Sequence, residues 1–215
     1  MPKPTKFSYV KKAPFRDAFF LIIICEGKNR EPQYFRFFDG LSSRVKVIPI
    51  ESDAGSSPKW LIEKAREVEV SFDITPEKDR IWFVIDTDRW RNQLLEIRQE
   101  CDKLYHWNVA QSNPCFEVWL YFHAKATLPE LEDISQCNYW KPHLPKVIKG
   151  GFNSDFHPAS IEVAIDNAKK TFNSTGYYPD SGSTEVWKLA EELLSFVKKD
   201  LNKLKGKFPE IETLN

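Results

Sequence analysis

The chain has no surplus of charge of either sign, since Lys and Arg total 31 and Asp and Glu total 31. Proteins that grip nucleic acid over a long surface carry a basic surplus, so any such contact here falls to local patches. Long apolar runs are missing as well: none reaches the eighteen or so residues that a bilayer-spanning helix requires. The N-terminus is rich in Lys and punctuated by Pro rather than apolar. These absences predict a soluble, cytoplasmic protein without membrane contact. Cysteine is scarce and scattered. Cys25, Cys101, Cys115 and Cys137 form no C-x-x-C pair and have no His at metal-ligand spacing, a pattern that reads as reduced thiols. No G-x-x-x-x-G-K-[ST] loop occurs, so an ATP-driven step would have to come from another protein. Nor is there an internal repeat or a low-complexity block. A chain of 215 residues is still long enough to bury one sizeable core.

What is present centres on residues 19–38, FFLIIICEGKNREPQYFRFF. Residues 19–25 show no alternation, which is how a strand covered on both faces reads, and such strands belong mainly to parallel sheets. Glu26 and Gly27 fall where that strand stops. Pro32 sits in the first turn of a helix that carries Tyr34, Phe35, Phe38 and Leu41 inward. Ligands of open α/β sheets bind at the carboxyl ends of strands. Glu26 and Glu31 are therefore candidate site residues.

The same grammar returns in RIWFVIDTD, where the apolar residues 81–85 lead into Asp86, Thr87 and Asp88. Side chains at i and i+2 of an extended segment point the same way, so the two Asp carboxylates can converge. Gathered like charges repel, and a cation relieves them. Oxygen-only donors suit a hard ion, Mg²⁺ or Mn²⁺. A lone D-x-D also serves simply to turn the chain and cap a helix.

Between and after these runs, residues 44–50 and 107–111 read as further strands, and Ser57-Pro58 offers a helix cap and first turn. The alternation of strand and helix calls for a mostly parallel central sheet flanked by helices, an α/β fold. Residues 1–18 read as a basic arm and 19–125 as the α/β core. Residues 126–215 read as a helical extension packed on that core. Within it, residues 124–151 show no clear period. Pro158 opens one helix, and Ser183 begins a long one with a stripe of Val186, Leu189, Leu193, Val197, Leu201 and Leu204. In SNPCFEVWLYFH, Asn113 before Pro114 reads as a helix start, and Glu117 is one acid among apolar neighbours. A carboxylate in such company is neutral, paired or turned towards a cation. His123 reads as a packing or capping residue.

Four segments together resemble the RloB family: Cys25-Glu26-Gly27 with Glu31 and Tyr34-Phe35; Trp82 through Asp88; the Asn113-Pro114-Cys115-Phe116-Glu117 string; and Ser183-Thr184-Glu185-Val186. That family belongs to bacterial defence and abortive-infection loci and has a Toprim-like catalytic domain. One departure is Arg30, which stands where the family pattern has Thr. The resemblance implies a metal-dependent nuclease acting on DNA or RNA, tRNA included, with a separately encoded ATPase as partner and oligomeric state open. It implies Glu26, Asp86 and Asp88 as catalytic residues and Glu26, Glu31, Asp86, Asp88 and Glu117 as ligands of Mg²⁺ or Mn²⁺. Lys28, Arg30 and Lys149 are candidates to neutralise phosphate. Two other readings stand beside it. One is a haloacid-dehalogenase-like phosphatase, whose motif wants Thr or Val where this chain has Trp90. The other is a non-catalytic component of an ATPase-containing defence complex.

Overall fold

The structure is a computed structural model that describes residues 18–51, 57–87 and 94–206. Its centre is the sheet that the apolar runs call for. Strands β1 (Phe19–Cys25), β2 (Val45–Ile50), β3 (Arg80–Asp86) and β4 (Trp107–Ser112) lie in the order β2-β1-β3-β4, and every pairing is parallel. Leu21 through Cys25 are wholly buried because both faces of β1 are covered. Leu21, Ile23 and Cys25 join one core, whereas Ile22 and Ile24 join another on the opposite face. Each such aliphatic side chain contributes about 1.5–3 kcal/mol on burial.

The connections are helical, as parallel neighbours require. Helix α1 (Arg30–Arg36) follows β1, α2 (Pro58–Ser71) follows β2 and α3 (Leu94–Lys103) precedes β4. Ser57 caps α2, its hydroxyl accepting from Trp60 N at 3.3 Å, with Pro58 in the first turn. Beyond the sheet come α4 (Glu117–Phe122), α5 (Cys137–Val147), α6 (Ile161–Thr171) and α7 (Val186–Lys205), with a small hairpin of β5 (Ser174–Thr175) and β6 (Tyr178–Pro179) between the last two. Buried residues of α4 to α7 share the core of Leu21, Ile23, Trp82 and Val84, so this helical part lies against one face of the sheet. Among the described residues no helix is long and apolar enough to cross a membrane.

Several local expectations change. The segment lacking a period contains α5, with Pro142 and Pro145 inside it. Each Pro removes a backbone donor and masks the helical signature. Burial of Cys137, Trp140 and Leu144 holds the helix regardless. The Asn113–Pro114 peptide is cis and belongs to a turn, and α4 starts only at Glu117. The long final helix starts at Val186 rather than Ser183. The largest correction concerns sulfur. Cys115 and Cys137 form a disulfide with Cα atoms 5.7 Å apart, and only Cys25 and Cys101 are free. The fold brings α5 back against the start of α4, a proximity that a separation of 22 residues does not announce. The basic arm, apart from residue 18, lies outside the described residues, as does Asp88.

Candidate functional site

Because β1 and β3 are adjacent, parallel and in register at Cys25 and Val84, both strands end on one edge. Glu26 follows β1 directly, and its N–H donates to Val84 O at 2.9 Å. Its Oε2 accepts from Asp86 N at 2.9 Å, which ties the two acidic strand ends together. Next in the chain, Thr87 is 4% exposed. Its N–H reaches Ser112 O and Pro114 O, both at 3.0 Å, and its hydroxyl donates to Ser112 O at 2.8 Å. Thr87 thus faces the interior of the sheet edge.

Glu31 enters from the first turn of α1, where it is buried beside Pro32. Its carboxylate rests against Gly27, so closely that a side-chain carbon added there would overlap it. The missing side chain at Gly27 is what admits this close approach, rather than a special backbone angle. Burial pushes the Glu31 carboxyl up to about 7 against the pull of its own backbone N–H; Glu117 and Glu26 push it the same way, and Lys141 opposes them. These groups offer only oxygen and only negative charge, the donor set of a hard divalent cation.

Of the basic candidates, Arg30 lines a groove of about 950 Å³ together with Gln33, Arg36, Asn153 and Asp155. Lys28 and Lys149 are exposed, and neither lines that groove. Arg36 went unsingled in the sequence, and the groove it lines with Arg30 forms only in the folded chain. It pairs with Glu51 across the rim.

Glu117 opens α4 and is 5% exposed. Its Oε2 lies 3.5 Å from Cys137 Sγ, a sulfur that carries no proton in the disulfide and cannot donate. Donor atoms of Cys115, Glu117 and Cys137 lie within 4.8 Å of one another, a buried group that can hold a metal ion.

A second buried network supports the edge from behind, and sequence reasoning missed it. Arg98 donates to Gln111 Oε1 at 2.7 Å and to Glu185 Oε2 at 2.5 Å. Gln111 Nε2 donates to Thr87 Oγ1 at 2.7 Å, and Lys188 Nζ donates to Glu185 Oε1 at 2.7 Å. The motif around Ser183 also closes the turn: Asn113 N donates to Ser183 O at 3.0 Å and Asn113 Nδ2 to Pro179 O at 2.8 Å. Ser183-Thr184-Glu185 and Ser112-Asn113-Pro114 therefore brace Thr87, the residue between the two Asp candidates. The available signal was an acid at the start of the long helix.

His123 packs, as its sequence setting suggests. It is fully buried, which together with His157 drives its pKa down to about 3. As a neutral ring it accepts from Tyr34 Oη through Nε2 at 3.1 Å and donates through Nδ1 to Ser160 Oγ at 2.8 Å. Ser160 Oγ in turn donates to His157 O at 2.9 Å.

No curated protein and no solved structure matches the chain. The family model described as RloB-like protein matches residues 21–193, from the buried part of β1 into α7, and so takes in Glu26, Glu31, Asp86, Glu117 and Glu185. With most of its length covered by that model, the chain belongs to the RloB-like protein family.

Proposed function

We propose that this protein is a metal-dependent nuclease of Toprim-like type, acting in an RloB-like anti-phage defence system. The observation that carries the proposal is the meeting of Glu26 and Asp86 at neighbouring strand ends, with the buried, proton-retaining Glu31 beside them. Strand order β2-β1-β3-β4, with acids after β1 and at the end of β3, supports the same reading. Glu26, Asp86, Asp88 and Glu31 would hold Mg²⁺ or Mn²⁺. Such an ion neutralises charge on a phosphodiester and lowers the pKa of a bound water, which is the chemistry hydrolysis needs.

The protein's own residues contribute position and charge. The Asp86 N–H orients the Glu26 carboxylate, which would meet an ion or act as general base. Thr87, clamped through Gln111 to Arg98 and Glu185, holds the end of β3 that carries Asp86. Arg30 at the mouth of the groove supplies positive charge for a phosphate backbone whose strand would lie along Gln33, Asn153 and Ser154. An ATPase encoded beside this chain would supply any nucleotide-driven control, since the sequence contains no G-x-x-x-x-G-K-[ST] motif.

The test is cleavage of plasmid, single-stranded DNA and tRNA by the purified protein with Mg²⁺ or Mn²⁺, alone and with the neighbouring ATPase. Metal-dependent scission that is lost in Asp86→Ala supports the proposal. No scission of any substrate in any combination refutes it and favours a non-catalytic role in the defence complex.

A further inference from the structure

The sulfur pair does not belong to the hard-ion site, because thiolates select softer metals than Mg²⁺. Glu117 is buried at the start of α4, and Cys137 Sγ lies 3.5 Å from its Oε2. In the disulfide that atom presents lone pairs to a carboxylate oxygen, so a buried acid faces a group that can neither donate to it nor balance its charge. Burial of a carboxylate in that state is unfavourable.

We infer that Cys115, Cys137 and Glu117, with the disulfide reduced, form a binding site for a thiophilic divalent ion of the Zn²⁺ class. The distances fit that chemistry. A tetrahedral ion with bonds of about 2.3 Å to sulfur and about 2.0 Å to oxygen separates the two donor types by about 3.5 Å. Cys137 Sγ and Glu117 Oε2 already stand 3.5 Å apart with the disulfide closed. All three residues are buried, and their donor atoms lie within 4.8 Å of one another. Only the two sulfurs need to move, from bonded contact to about 3.8 Å, the separation that the same tetrahedral geometry sets. Both sit at helix starts, Cys115 just before α4 and Cys137 as the first residue of α5. An ion there would join α4 to α5 as the disulfide does. Three protein donors leave a tetrahedral ion one position open.

The two states exclude each other, and the balance between them is explicit. A phosphine or dithiol reductant gives two electrons to the disulfide and is itself oxidised. The sulfurs take up two protons to become thiols. The divalent ion then displaces those two protons and binds the thiolates. Oxidation therefore ejects the ion, and the ion protects the thiols from oxidation.

The test uses the full chain, freed of metal and reduced with a phosphine, and titrated with Co²⁺. Denatured reduced protein should show all four cysteines as reactive thiols, which establishes that the pair is open. The expected result is one Co²⁺ per chain with a sulfur-to-cobalt charge-transfer band and tetrahedral visible bands, all abolished by Zn²⁺ and absent from the oxidised protein. Cys137→Ser should remove the charge-transfer band, and Glu117→Gln should weaken binding by about tenfold or more. Excess Mg²⁺ should leave the spectrum untouched. A fully reduced wild-type protein without the charge-transfer band overturns the inference, and so does a band that survives in both Cys115→Ser and Cys137→Ser. The wild-type comparison of reduced and oxidised protein decides the matter even where a variant folds poorly.

Discussion

Glu31 and Glu185 are almost equally buried, at 6% and 5% exposure, yet they sit in opposite surroundings. Glu185 meets Arg98 at 2.5 Å and Lys188 at 2.7 Å, and also lies 3.4 Å from the backbone N–H of Gln111. Glu31 makes no ion pair among the described residues and has acids on two sides, Glu117 and Glu26. A fold that can supply a buried acid with two cations at one end of the sheet sets another, a few residues from the end of β1, beside two further acids. Buried charges that serve stability are paired, because removing either partner strands the other. Acids gathered against one another serve stability badly and suit a cation that arrives from outside. The Glu185 network is framework, and the Glu31 cluster is the candidate site.

The widest gap between the two regions should open in activity. Asp86→Ala should reduce metal-dependent cleavage by about a thousandfold, roughly 4 kcal/mol of barrier, while the melting temperature of the metal-free protein holds or rises. Initial rates and a melting curve on the same preparation check this, and a variant that melts early would move Asp86 into the framework.

Arg98→Ala is the converse. It leaves Glu185 buried beside Lys188 alone and should cost about 3–5 kcal/mol of stability, read as a fall of roughly 10 °C in melting temperature. An unchanged melting temperature would erase the contrast.

Glu31→Gln sharpens the comparison through pH. The ordinary carboxyl value of 4.5 is raised to about 7 in the fold, so the folded state retains a proton that the unfolded chain has lost. The penalty is absent below 4.5 and grows to its full size as pH rises through about 7. Metal-free wild type should therefore lose stability across that window, and Glu31→Gln should recover on the order of 2–3 kcal/mol near pH 8 and little near pH 5. Urea unfolding at the two pH values measures it, and an equal effect at both would show that burial does not control this acid.

Gly27→Ala has a smaller expected effect. The added carbon drives the Glu31 carboxylate from its seat, which should cost about 1–3 kcal/mol of stability. It should also lower activity less than Asp86→Ala does. Full activity in Gly27→Ala would remove Glu31 from the site.

The site's framework was largely legible in the sequence, and its supports were not. Residues 19–25 and 81–85 announce themselves because strands buried on both faces cannot alternate, and the acids that follow them had to share an edge once the strands paired in parallel. Glu185 carries no such signal, since its role depends on Arg98 and Gln111, which reach it only after α3 and β4 have packed. Helix α5 was hidden by Pro142 and Pro145, whose local preference is overridden by the burial of Trp140. The sulfur pair was hidden by chain distance, and Asn113–Pro114 suggested a helix start where the backbone instead makes a cis turn that holds Thr87.

The contrast between Glu31 and Glu185 is tested most directly by Mg²⁺ added to metal-free protein, with the melting temperature followed as a function of concentration. Thiolates do not take this ion, so the sulfur pair stays out of the reading. Wild type should rise with Mg²⁺ and gain about 2.7 kcal/mol at a hundred times its dissociation constant. Arg98→Ala should start lower and rise by the same amount, and Asp86→Ala should not rise at all. A melting temperature that ignores Mg²⁺ in wild type, or that climbs equally in Asp86→Ala, would contradict a cation site at the ends of β1 and β3.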